Sequence, residues 1–182
     1  MLNIIIRCGA LAAFAFSTAV PVSAADTGGA TGQDTNFAVR AAQGGQAEVT
    51  LAAMAMKKSK NATVLAFARM MNADHTKNNA QLATIVKRMG GMPPSDVGPD
   101  NKAVAARLSA LSGTPFDAAY LQSQVTAHQK MLALMQTEVT SGRAPALVAF
   151  AKQTAPVVQR HLALAQSDVR KMGGSPPMSS SM

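Results

Sequence analysis

Residues 61–91, NATVLAFARMMNADHTKNNAQLATIVKRMGG, carry the reading on which the fold turns. Steps of alternating four and three from Val64 give Ala68, Met71, His75, Asn78, Leu82, Ile85 and Met89. This is an apolar stripe broken by two polar residues, and its spacing turns one face of a helix toward a partner. Asn61 is a strong N-cap residue, and Gly90 with Gly91 stops the pattern. The stretch is predicted to be a long helix with one histidine on its inward seam.

The same pattern recurs three times. A first helix is predicted from about Thr35 to Ser59, with Phe37, Ala41, Gly44, Glu48, Leu51 and Ala55 on its seam and Gly44-Gly45 as a weak point. A third begins at Thr114-Pro115 and ends near Gly142, with the seam Leu121, Val125, His128, Leu132, Met135 and Val139. A fourth runs from about Ala144 to Met172, bent at Pro156, with Leu147, Ala151, Thr154, Val158, His161 and Ala165 inward. Between the second and third, MPPSDVGPD cannot be helical throughout, whereas Asn101 to Leu111 reads as a short extra helix. Two helical hairpins joined by one long connection predict an all-α, ferritin-like four-helix bundle over residues 35–172. Residues 26–34 are expected to form a flexible lead-in, and 173–182 a disordered low-complexity tail.

Composition agrees. The 182 residues are 48% hydrophobic but only 4% aromatic, with no Trp, which disfavours a β-sandwich or barrel. Met1–Ala25 reads as a signal peptide: Arg7, a short apolar run from Cys8 to Val20, then Val22-Ser23-Ala24, with cleavage after Ala24 or Ala25. Removing 25 of 182 residues leaves 157, with 16 basic and 9 acidic side chains and no cysteine, since Cys8 leaves with the signal. Thiol catalysis, disulfides and thiolate ligands are thereby excluded from the processed chain. The expected product is periplasmic or secreted, associated with the outer membrane, and keeps no transmembrane span.

Each seam carries one residue of metal-ligand type: Glu48, His75, His128 and His161. These include all three histidines and one of two glutamates. Glu48 lies ~18 Å and His75 ~22 Å from the first bend; His128 and His161 lie ~22 and ~27 Å from the second. In helices ~42 Å long, all four fall near the middle and can converge. Two readings fit this convergence. One is a site for a single divalent ion, zinc, copper or iron, held by three imidazoles and a carboxylate. The other is a metal-free polar network that sets helix register. Asp74 points about 100° away from His75 and is read as a surface or supporting group. Gln124 and Asn79 are candidate supports for the ligands.

The segments GGQAEVTLAAMAMKKSKNATVLAFARMMNADHTKNNAQL, TPFDAAYLQSQVTAHQKMLALMQ and LVAFAKQTAPVVQRHLALAQ resemble the exported bacterial family known as domain of unknown function 4142. The resemblance covers about Phe37 to Ala165 and implies a ferritin-like four-helix fold. Its members are often labelled outer-membrane or periplasmic proteins and have no settled biochemical role. The four ligand-type residues lie within these segments. Di-iron bundles use Glu-x-x-His on two helices, but here Asn72, Val125 and Val158 stand three before the histidines. That argues against ferroxidase or oxygenase chemistry.

Other signals have ordinary explanations. Met54, Met56, Met70, Met71, Met131 and Met135 fit core packing; Met172, Met178 and Met182 extend toward the tail and could catch Cu(I). The basic clusters Lys57-Lys58, Lys87-Arg88 and Arg170-Lys171 sit at predicted helix C-termini, where positive charge is favourable. They allow loose contact with anionic envelope surfaces, whereas export and few aromatics argue against nucleic acid. No phosphate loop or nucleophile elbow is present. The sequence thus predicts an exported binding protein, with a structural or stress-related envelope protein as the alternative, and leaves oligomeric state open.

Overall fold

The computed structural model describes residues 29–178. The expected signal peptide, residues 1–25, lies outside the described residues. Five helices and no strand occur among the described residues: α1 Gly32–Lys58, α2 Ala62–Arg88, α3 Pro99–Ser109, α4 Gly113–Ser141 and α5 Pro145–Lys171. No helix among them is long and apolar enough to cross a membrane.

Local chemistry explains the ends. The Asn61 side chain accepts from the backbone N–H of Thr63 at 2.9 Å and of Val64 at 3.4 Å, which caps α2. At the other end Gly90 adopts φ +80°, and Gly91 N–H reaches Val86 O at 2.9 Å, a Schellman closure that L side chains disfavour. Lysines and arginines occupy the last turns of α1, α2 and α5, as the helix dipole prefers. Helix α5 continues through Pro156. Gly173 and Gly174 close α5 as Gly90 and Gly91 close α2, and beyond them Gln129 Nε2 donates to Pro177 O at 3.1 Å.

α1 starts at Gly32, three residues before the predicted Thr35. Thr31 and Asp34 form a reciprocal capping box, with Thr31 N–H to Asp34 Oδ2 at 2.7 Å and Asp34 N–H to Thr31 Oγ1 at 3.3 Å. Asp34 is fully buried, because its Oδ1 also accepts the backbone N–H groups of Arg143 at 2.8 Å and Ala144 at 2.9 Å. One carboxylate thus ties the start of α1 to the α4–α5 turn. Burial alone would raise its pKa, but the bonds from Thr31, Ala144 and Arg143 prevail and hold it well below the ordinary carboxylate range.

The long helices pack in the ring α1–α2–α5–α4, and α3 lies against α1 and α4. The connection carrying α3 runs the length of the bundle, so α2 is parallel to α4 and α1 to α5, while neighbours in the ring are antiparallel. A single long crossover thus joins the two hairpins of a four-helix bundle. Gly44 and Gly45, the expected weak point, stay helical: a Cβ on Gly45 would overlap Asn79 of α2, and one on Gly44 would stand 2.7 Å from Met131 Cε of α4. The pair permits close approach of helices.

The apolar core forms two clusters. One contains Leu51 and Ala55, Val64 and Met71, Phe116 and Val125, with Ala165 and Val169. The other contains Phe37 and Ala42, Leu82 and Val86, Met135, with Leu147 and Val158. On every long helix one residue of metal-ligand type lies between its two sets: Glu48, His75, His128 and His161.

A Cβ on Gly142 would stand 2.5 Å from Glu138 O and 2.6 Å from Glu138 Oε1, a carboxyl that is itself fully buried. Gly142→Ala is therefore expected to destabilise by about 1–3 kcal/mol, read as a lower urea midpoint at unchanged slope. An unchanged midpoint would show that the turn yields freely.

Candidate metal centre

The layer between the two clusters is built from one side chain per helix. His75, His128 and His161 are buried, and their ring centroids stand 5.6, 5.4 and 5.4 Å apart, a nearly equilateral triangle. One nitrogen from each ring lies within 4.8 Å of the other two. Around zinc with bonds of ~2.05 Å such nitrogens would be ~3.4 Å apart, so each ring would move inward by at most ~0.8 Å.

Hydrogen bonds fix two of the rings. His128 Nδ1 donates to the backbone carbonyl of Gln124 at 2.9 Å, leaving the Nε2 lone pair free. His161 Nε2 faces Asp74 Oδ2 at 2.9 Å; a carboxylate only accepts, so the ring proton sits there and Nδ1 keeps its lone pair. Arg160 Nη2 reaches the same oxygen at 3.0 Å. His128 Nε2, His161 Nδ1 and His75 Nε2 are all buried without a hydrogen-bond partner.

Glu48 is buried beside the triangle but outside the group of three nitrogens. Its Oε1 lies 4.0 Å from His128 Nδ1, the nitrogen already bonded to Gln124, and its Oε2 has no partner. Sequence reasoning thus named all four members of the layer, and the structure brings the three imidazoles closest together.

The electrostatics favour neutral imidazoles. Burial lowers the pKa of His75 to about 4; Glu48 and Asp74 oppose this, while His128 and His161 add to it. Burial also lowers His161, against the bond from Asp74. Above mildly acidic pH both therefore offer lone pairs.

Two further groups border the layer. Tyr120, which the sequence reading passed over, is fully buried with an unpartnered hydroxyl, and burial together with Glu48 keeps its phenol protonated. It precedes His128 by two helical turns, the signal that could have found it. The Gln124 side-chain amide is buried and unpartnered, and this residue supports His128 through its backbone instead. Asn79 packs against Gly45 and, with His75, Met131 and Thr154, borders a cavity of about 20 Å³, room for one water.

The sequence matches the family described as Domain of unknown function (DUF4142) over residues 19–167. The chain belongs to this family. No curated protein matches this DUF4142 chain. Among solved structures it is similar to a DUF305 fragment from Deinococcus radiodurans, with TM-score 0.70 and 20% identity over 78% of this chain and 98% of that one. A DUF305 protein from Streptomyces coelicolor, described as secreted, also has TM-score 0.70, at 13% identity over 82% of this chain and 98% of that one. At these identities the likeness establishes a shared helical fold.

Proposed function

We propose that this DUF4142 protein is an exported binding protein that holds one divalent metal ion, zinc, copper or iron, at the centre of its bundle. His75, His128 and His161 supply nitrogens, and the free Oε2 of Glu48 is the oxygen donor beside them. The observation that carries the reading is that one polar atom of each of these four residues is buried without a partner, while the three imidazoles converge to within 4.8 Å of one another. Such atoms are costly inside a core unless something satisfies them. Neutral imidazoles and a carboxylate form a donor set suited to these metals. The water-sized neighbouring cavity supports holding an ion over turnover of an organic substrate. Export is supported by the signal-type start of the sequence and by the description of the Streptomyces coelicolor neighbour as secreted.

A second reading, a structural or stress-related envelope protein with a metal-free polar core, draws on the Asp74 and Gln124 bonds that hold two rings without an ion. Calorimetric titration of chelator-treated protein with Zn²⁺, Cu²⁺ and Fe²⁺ separates the two. One ion per chain is expected for at least one metal, with His128→Ala weakening it beyond the ~10–100-fold typical of losing a supporting group. Equal, weak binding by wild type and a triple histidine variant would leave the metal-free core standing.

A further inference from the structure

We infer that Asp74 is a positioning residue of this centre, which fixes the His161 ring so that its Nδ1 lone pair faces the other two histidines. The part of this inference that concerns affinity rests on the metal reading above; the part that concerns the ring does not. Asp74 precedes His75 on α2, and its Oδ2 crosses to α5 to meet His161 Nε2 at 2.9 Å. It therefore links two of the three imidazoles, one through the chain and one through a hydrogen bond.

The alternative is a surface ion pair with Arg160. That pair is open to solvent, with Arg160 58% and Asp74 33% exposed, whereas the His161 side chain is fully buried. An exposed pair contributes little, while a charged acceptor on a buried N–H is a strong interaction. The other fixed ring gives the contrast. His128 is oriented by a backbone carbonyl, which no side-chain substitution removes. His161 alone has its tautomer set by a replaceable side chain. Asp74 also brings a second negative charge near the layer, so that Glu48 and Asp74 together match a divalent ion.

The test uses the full chain. In the chelator-treated protein, ¹⁵N NMR of the imidazoles is expected to show wild-type His161 as a single Nε2–H tautomer and Asp74→Ala as a mixture. Titration with Zn²⁺ is expected to weaken about 10–100-fold in Asp74→Ala, the usual effect of removing a carboxylate behind a ligating histidine. Arg160→Ala should stay within about fivefold of wild type. Should Asp74→Ala fail to fold, Asp74→Asn carries the comparison: its neutral oxygen should weaken Zn²⁺ binding more than Arg160→Ala does. An unchanged tautomer in Asp74→Ala overturns the inference, as does an Arg160→Ala loss equal to that of the Asp74 variant. If wild type takes no Zn²⁺ while the tautomer still shifts, the metal reading fails and the positioning role stands.

Discussion

Asp34→Ala is expected to destabilise the fold by about 3–5 kcal/mol, among the largest effects open to one substitution here. The carboxylate is fully buried and accepts three backbone N–H groups, those of Thr31, Arg143 and Ala144. Alanine would leave the Ala144 N–H buried without an acceptor and would release the start of α1 from the α4–α5 turn. Glu138 is affected as well. Burial and the neighbouring Asp34 raise its pKa, against a bond from Gln33. Losing Asp34 removes one of these influences, so part of the cost is offset. Asp34→Asn keeps an oxygen for Arg143 and Ala144 but turns an NH₂ toward the Thr31 N–H, and should fall between. Urea unfolding at neutral pH measures both; a loss below about 1 kcal/mol for alanine would show that the turn is held by other contacts.

The second large effect is acid destabilisation of the metal-free protein, by roughly 3 kcal/mol between pH 7 and pH 4 from His75 alone. Its pKa is lowered from 6.5 to about 4 in the folded state. Between those values the unfolded chain binds more protons, so stability rises with pH through the window and is lost as pH falls through it. His161, lowered too, acts in the same direction. The groups around His75 are Glu48, His128, His161 and Asp74. Glu138 works oppositely, since a raised carboxyl favours the folded state in acid, and a Glu138→Gln background removes it. Asp34, held low, contributes across the window. Unfolding free energies at pH 7, 6, 5 and 4, with and without His75→Gln, test this. A profile that stays flat in the Glu138→Gln background would refute it.

The helices were legible because every seam repeats at helical spacing and because Asn61, Gly90 and Gly142 punctuate it. The four inward residues were legible for the same reason: His75, His128 and His161 interrupt otherwise apolar stripes. Two features depend on information the stripes do not hold. Asp74 looks like a surface residue on its own helix, and only the packing of α2 against α5 brings His161 to it. Asp34 sits three residues after Thr31, a capping-box spacing, but the preceding glycines masked it, and its bonds to Arg143 and Ala144 span more than a hundred residues. Glu48 is a finer case. Helix height placed it in the right layer, whereas side-chain direction set it against the outer nitrogen of His128.

The connectivity has a consequence for how this centre comes into being. Glu48 and His75 arrive on the hairpin α1–α2, and His128 and His161 on α4–α5. Each hairpin closes by a tight turn and can form locally, but neither contains a complete donor set. The layer exists only where the two halves meet. On the reading proposed above, a bound ion is a removable cross-link between them, closing the segment from His75 to His128 in a chain whose single cysteine is Cys8. Ion supply then governs the persistence of the joined state: free ion at a thousand times its dissociation constant would add about 4 kcal/mol.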